Sequence, residues 1–388
     1  MKIIFVSEIQ DPYTRGSSTQ ILTENLLQGF KEAGHDIFFI AIYDSNNDAN
    51  NIVNYYKKYT RDIIMVKSQM NLTTIANHKY KQLFRIIKGF TLYKKYMKII
   101  PKIDVAHKTV LFSHTPSLEA GLICRALKKL YQFEKYIQYW SDPYALSGIY
   151  PENINIKRWP SYFIEKALLK IADSIVYPGK PIFLAQRNLN KRYSNKMHCV
   201  NYSYSCRNKT SVNHNSKDKL LFGYLGDYMS SIRNVKPLFN AFILLDSANL
   251  LVCGTGDVTP DNSNNIMIEK RVSQNRIIEI ESKLDVFICI INHSCLQLPG
   301  KIFYQANCNK IILIILDGKY KDLFYNYLSS FNRFVFCDNN EESIKQVVKK
   351  ICQGECKVDL SCIDKLSPKY VAECILNPNA DNEDVNKY

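Results

Sequence analysis

The stretch Gln297-Leu-Pro-Gly-Lys-Ile-Phe303 holds the residues of this chain whose order most restricts their chemistry. One apolar run, Asp285-Val-Phe-Ile-Cys-Ile-Ile291, precedes it, and another, Lys310-Ile-Ile-Leu-Ile-Ile-Leu316, follows it. The pattern predicts a buried strand, a Pro-Gly-Lys turn opening a helix, and a second buried strand. In such a βαβ unit the turn lies at the carboxyl end of the first strand, where open parallel sheets bind ligands. Pro299 and Gly300 constrain the turn. Lys301 falls at the predicted helix start, where backbone N–H groups and the helix dipole favour an anion. The expected ligand carries phosphate.

Other polar residues stand at the ends of predicted strands. Glu8 closes a first strand at 2–7 and begins a polar loop to Ser18 that contains Gly16 and Ser17. His114 follows a strand at Thr109–Phe112 and precedes Pro116 and a helix. It either hydrogen-bonds a ligand or is satisfied by neighbouring backbone. Asp142, in Trp-Ser-Asp-Pro after a strand at Tyr136–Trp140, is a general base or an acceptor-binding carboxylate. A helix N-cap or an Asx-turn before Pro143 explains it equally well. Gly226 ends a strand at Leu220–Leu225, and Arg233 lies in the loop that follows. Gly254 and Gly256 follow a strand at Leu250–Cys253, and either admit a ligand close to the backbone or serve packing. Arg233 and Lys301 are diphosphate ligands or solvated surface cations. As ligands, with a guanidinium able to grip in bidentate fashion, each would supply about 2–4 kcal/mol of transition-state stabilisation. The sequence contains neither a Ser-His-Asp order nor a P-loop.

The elements that must position these residues repeat one theme. Ile21, Leu22, Leu26, Leu27, Phe30 and Ala33 have helical spacing from Thr19 to Gly34, with Gly34 as C-cap, and Asp36–Ile42 is the next buried strand. Strand, loop, amphipathic helix and strand open a doubly wound fold. A further strand is expected at Ser174–Tyr177, with helices at Ser117–Leu130 and Tyr162–Ala172. Residues 207–218 have the composition of a linker, and then the pattern restarts. Helices are expected at Val235–Leu245, Glu341–Ile351 and Ser367–Leu376, and a last strand at Arg333–Cys337. At 388 residues the chain exceeds a typical single domain. The expected fold class is α/β, with two doubly wound Rossmann-like domains at 1–206 and 219–366. A C-terminal helix at 367–376 and a mobile tail at 377–388 complete it.

Composition narrows the setting. The hydrophobic fraction of 46% is globular. The start, Met-Lys-Ile-Ile-Phe-Val-Ser-Glu, reads as a strand and not as a signal peptide, and no window holds the ~18 apolar residues of a membrane span. The twelve cysteines are scattered. Cys352, Cys356 and Cys362 are spaced unlike a zinc site, so no metal is expected. A reducing cytoplasm is the expected compartment. The net charge is +15, and between Lys67 and Lys102 there are nine Lys/Arg and no acid. Over Lys79–Lys102 apolar residues recur every three or four positions, while Lys81, Arg85, Lys88, Lys95 and Lys102 follow the other face. Such a helix suits an anionic membrane surface, at about 1 kcal/mol per basic residue. The alternative is a core helix with a solvated outer face. Nucleic acid is a third reading, set aside because no nucleic-acid module is recognisable.

Two doubly wound halves with this order of motifs resemble the GT-B glycosyltransferases, in particular the family-4-like group of bacterial surface polysaccharide synthesis. The resemblance runs from Met1 to about Leu376. Arg-Gly-Ser-Ser-Thr-Gln at 15–20 is similar to the family's small-residue loop beneath the sugar donor. Phe-Gly-Tyr-Leu-Gly-Asp at 222–227, with Arg233 and Asn234 beyond it, is similar to the strand, glycine turn and basic residue near the donor diphosphate. The segment 297–303 resembles the motif that closes on the nucleotide. Tyr304 stands where the family has a ribose-binding glutamate, Leu296 where its paired glutamate falls, and Asp227 where an arginine is frequent. The resemblance implies two domains facing a cleft and a nucleotide-sugar donor, with Gly16, Ser17, Arg233 and Lys301 at the diphosphate. Gly226, Gly254, Gly256, Pro299, Gly300 and Tyr304 would lie along the nucleotide. His114, Asp142 and Glu8 become the catalytic candidates, and no cofactor or metal is implied. The acceptor would be a glycan, lipid-linked, at the inner face of the membrane, with retention of configuration. A non-catalytic nucleotide-sugar-binding subunit is the main alternative, and a nucleotide-sugar epimerase a weaker one.

Overall fold

The computed structural model describes residues 1–10, 12, 18–44, 48–69, 92–100, 102–105, 108–115, 117–146, 159–205, 219–261 and 263–378. Its contacts divide into two compact units. One comprises Met1–Tyr202 with the C-terminal helix, and the other Ser203–Ser367. The segment 207–218 lies outside the described residues.

In the first unit the strands are β1 (Lys2–Ile9), β2 (Asp36–Tyr43), β3 (Asp62–Lys67), β4 (Thr109–Thr115), β5 (Lys135–Trp140), β6 (Ser174–Pro178) and β7 (Met197–Val200). They form one parallel sheet in the order β3-β2-β1-β4-β5-β6-β7. Chain order reverses between β1 and β4, which register Ser7 opposite His114. Helices cover both faces of such a sheet, so its central strands read as unbroken apolar runs. Ile3, Ile4, Phe5 and Val6 are all fully buried. The helix Ser18–Glu32 lays Leu22, Leu26, Leu27 and Phe30 on this sheet, with Phe30 edge-on to Phe112 at 5.1 Å. Gly34 ends that helix at φ +78°, a conformation that costs a side chain energy and glycine none. The helix Pro368–Leu376 packs back against it.

The second unit contains β8 (Leu220–Leu225), β9 (Ala248–Cys253), β10 (Ile266–Glu269), β11 (Val286–Ile290), β12 (Ile311–Leu316) and β13 (Val335–Asp338). Their order, β10-β9-β8-β11-β12-β13, is again parallel throughout and reverses between β8 and β11. Phe222, Val252, Ile288 and Ile315 meet the helices Lys236–Ile243 and Glu341–Cys352 in one core. The second of these helices is capped by Asn340, whose side chain accepts from the Ser343 N–H, and carries Glu341 and Glu342 in its first turn and Lys349 and Lys350 in its last. That arrangement satisfies an orphan donor and complements the helix dipole.

Two expectations about elements change. The strand expected to end at Phe112 continues to Thr115, so His114 lies within β4 and not in the loop beyond it. The helix opened by Pro-Gly-Lys is a single turn, Lys301–Tyr304. So few aligned peptides make little dipole, and charge at this turn falls to the side chains.

Candidate functional site

In the second unit the reversal of strand order brings the ends of β8 and β11 side by side, and the polar residues gather there. The Lys301 ammonium reaches across to the end of β8 and donates to the Leu225 carbonyl at 2.7 Å. It lies over the Tyr224 ring, 4.7 Å from the centroid. Gly226 comes next, at φ +140°, and a Cβ there would run into the Lys301 ammonium. Arg233 approaches from the following loop. Its Nε donates to Asn292 Oδ1 at 2.8 Å and its Nη1 to the Asp227 carbonyl at 3.3 Å. Asn292, the second residue after β11, also donates to the Gln297 carbonyl at 2.9 Å. One buried amide thus ties Arg233 to the segment that leads into Lys301.

Burial, and then the neighbouring Arg233 charge, push the Lys301 pKa down to about 8. Two cations that repel each other in a desolvated place favour an anion between them. The nearby carboxylate, Asp227, is already engaged. It accepts from the Thr255 N–H at 3.0 Å and pairs with Arg271. Arg271 therefore offsets the Asp227 carboxylate, which would otherwise cancel part of the charge of Lys301 and Arg233.

The other positions expected at this site make contacts within the second unit. Gly254 abuts the Gly226 backbone and Gly256 the Tyr228 ring, so protein atoms fill the space their missing side chains leave. Pro299 and Gly300 accept from the N–H groups of Ile302 and Phe303 at 3.1 and 3.0 Å. Tyr304 is buried, its hydroxyl close to Gly300, and its carbonyl accepts from the Ser205 N–H at 3.0 Å. Gly16 and Ser17 lie outside the described residues.

In the first unit Glu8, His114 and Asp142 stand at the carboxyl ends of the adjacent strands β1, β4 and β5. His114 has no exposed surface. Its Nδ1 meets Thr23 Oγ1 at 2.9 Å and Ser7 Oγ at 3.5 Å, and its Nε2 meets Ser141 Oγ at 3.2 Å. Burial lowers its pKa to about 3, so the imidazole is neutral at any physiological pH. Ser141 passes the chain of hydrogen bonds to Asp142 Oδ2 at 3.1 Å, and burial raises the Asp142 carboxyl. Glu165 holds the turn beyond. This fully buried residue accepts from the Ala145 N–H at 2.9 Å and from Asn190 Nδ2 at 3.3 Å, and desolvation raises its pKa to about 7.

Sequence reasoning missed Tyr224, Asn292, Arg271 and Glu165. Asn292 carried a readable signal, the first polar residue after a buried strand and Ile291. The others become visible only once strands β8, β9 and β10 are adjacent or the Asp142 turn is folded. Of the basic segment, Lys81, Arg85 and Lys88 lie outside the described residues. Residues 92–99 are helical, with Leu92, Tyr96 and Ile100 buried and Lys94, Lys95 and Lys98 exposed. The Tyr96 hydroxyl donates to the buried Glu119 carboxylate. Among the described residues no group of three His, Cys, Asp or Glu could hold a metal ion, and no helix is long and apolar enough to cross a membrane.

No protein-family model and no curated protein matches this chain in sequence. Solved structures do match it in fold. A glycosyltransferase from Rickettsia africae superposes with a TM-score of 0.57 at 14% identity, covering 100% of this chain and 99% of the other. HepE of Anabaena, in complex with UDP, gives 0.57 at 9% identity over 99% and 100% of the two chains. The lipopolysaccharide outer core galactosyltransferase WaaB gives 0.53 at 12% identity, again over 99% and 100%. The fold is of the GT-B type. Both Rossmann-like domains share in the match, and β8, β11 and the Lys301 turn belong to the second of them.

Proposed function

We propose that this protein is a glycosyltransferase that moves a sugar from a nucleotide-sugar donor to a glycan acceptor. The observation that carries the reading is the meeting of Lys301 and Arg233 at the switch point of the second sheet, with Asp227 turned to Arg271. A departing nucleoside diphosphate concentrates negative charge, and preorganised cations stabilise it most where water is excluded. The Arg233 guanidinium is fixed by Asn292 before any ligand arrives, so little reorganisation accompanies binding. Side chains neutralise the leaving group in this reading, and no metal or other cofactor is invoked.

On the acceptor side Asp142 is the candidate base, its carboxyl raised by burial and its turn held by Glu165. Neutral His114 keeps one ring N–H, so it donates one hydrogen bond and accepts another, and it carries no charge at neutral pH. It therefore orients Ser141 and Thr23. Glu8 is the further carboxylate of that strand edge. The fold likeness and the basic character of the chain support an acceptor that is lipid-linked, in capsule, O-antigen or exopolysaccharide synthesis. The protein would then work in the cytoplasm, peripheral to the inner face of the membrane, with the lysines at 94, 95 and 98 turned outward. Retention of configuration is part of the same proposal.

Titration with nucleoside diphosphates, followed by a panel of nucleotide sugars with a membrane extract, tests this. Diphosphate release that depends on the extract supports transfer. Binding without release from any donor would instead identify a non-catalytic nucleotide-sugar-binding subunit. Epimerised donor recovered without extract would identify an epimerase.

A further inference from the structure

The helix Trp159–Leu169 turns an apolar face outward. Trp159 and Phe163, one turn apart, are 54% and 55% exposed and meet edge to face at 5.9 Å. Adjacent exposed rings form a contiguous apolar patch, the kind of surface that interaction sites use. Lys166, next along the same helix, lines a cavity of about 300 Å³ together with Lys191, Arg192 and Tyr193. Among the described residues no carboxylate lines it. Among the described residues none of these three cations is held in an ion pair, and the Lys166 ammonium rests over the Tyr162 ring at 4.2 Å. The acid nearest in sequence, Glu165, points inward to Ala145 and Asn190. The surface therefore joins an uncompensated basic depression to a pair of protruding rings.

We propose that this face docks on an anionic lipid bilayer, with Lys166, Lys191 and Arg192 around lipid phosphates and Trp159 and Phe163 at the headgroup boundary. Charge complementarity selects the occupant: phosphates are the anions of a bilayer surface, and aromatic rings settle at its interface. A free anion would use the depression and leave the rings in water. The inference shares the bilayer partner with the functional reading above but assigns it to a different element from the 79–102 segment. It uses no residue of the second unit.

Co-sedimentation of the full chain with vesicles of phosphatidylglycerol and phosphatidylcholine, against phosphatidylcholine alone, tests it. The chain has two tryptophans, and Trp140 is fully buried, so a change in emission reports Trp159. We expect binding to the anionic vesicles with a blue shift. Lys166→Gln, Lys191→Gln and Arg192→Gln together should weaken partition about 100-fold, at about fivefold per basic residue. Trp159→Ala with Phe163→Ala should also release the protein. Lys81→Gln, Arg85→Gln, Lys88→Gln and Lys95→Gln together should leave the blue shift in place. Nucleoside diphosphate affinity should be unchanged in all of these variants, so failure here and failure of the donor reading are read separately. Unaltered partition of the Lys166/Lys191/Arg192 variant, or no shift in Trp159 emission on anionic vesicles, would overturn the proposal. Full competition by millimolar glycerol phosphate would overturn it in favour of a soluble anion.

Discussion

Lys301 shows how one residue's chemistry depends on where its ammonium goes. With its pKa lowered to about 8, it is half charged near pH 8 in the free protein. A bound diphosphate would raise that pKa again, so binding above pH 8 must be accompanied by proton uptake. Nucleoside diphosphate affinity is therefore expected to hold steady up to about pH 8 and then fall by up to tenfold per pH unit. Calorimetric titration across pH 7–10 measures this. Lys301→Ala should bind 10- to 100-fold more weakly, the scale of a charged hydrogen bond, and lose that pH dependence. Glu165 makes the opposite case among acids. Its folded pKa, about 7, stands above the ordinary glutamate value of 4.5, so between those values the native state binds more protons than the unfolded one. The resulting stability is fully present below about pH 4.5 and is lost as pH rises towards 7, by about 3 kcal/mol. Glu165→Gln should flatten that slope in chemical denaturation curves. An unchanged slope would mean that Glu165 ionises freely and does not hold the Asp142 turn in its protonated form.

At the scale of elements, the two helices that close the first unit offer a steric test. A Cβ at Gly29 would overlap the Pro368 carbonyl, which is backbone and cannot rotate aside. Gly29→Ala should therefore cost about 1–3 kcal/mol, despite alanine's better helix propensity. Thermal denaturation should show a lowered midpoint. A raised midpoint would mean that the C-terminal helix is not seated there. The central strands were readable from sequence because both faces of a parallel sheet are buried and the residues form continuous apolar runs. The edge strands were harder. β3, β7 and β10 passed unnoticed, and β13 was placed two residues early. β10 has no buried residue and β3 only Val66, because an edge strand is half covered and needs no such run. The helix that the Pro-Gly-Lys turn opens ends at Tyr304. The Arg333 guanidinium donates to the carbonyls of Ala306, Cys308 and Lys310 and so holds the segment that leads from this turn into β12.

At the scale of the whole molecule, the net charge of +15 and the doubled α/β pattern were both legible without coordinates. A ligand of the second unit should stabilise it by mass action. At about 100 times its Kd, a nucleoside diphosphate is expected to add about 2.7 kcal/mol, seen as a raised calorimetric transition. The same shift in an Arg233→Ala, Lys301→Ala protein would place the ligand elsewhere. The sequence by itself determined the class of fold, because the burial of every central strand must be written into its residue types. It also determined that cations follow the ends of β8 and β11, because polar residues at strand ends need only local order to be seen. Only the tertiary structure decided what those cations do. That Lys301 reaches Leu225, that Asn292 fixes Arg233, and that Asp227 is neutralised by Arg271 are contacts between residues 44 to 76 positions apart. The same holds for His114, which local sequence set in an open loop and the register of β1 against β4 sealed among three hydroxyls. Hydrogen bonds and charge pairs depend on distance in space, and in a parallel sheet neighbouring strands are brought together by crossovers that no local pattern reports.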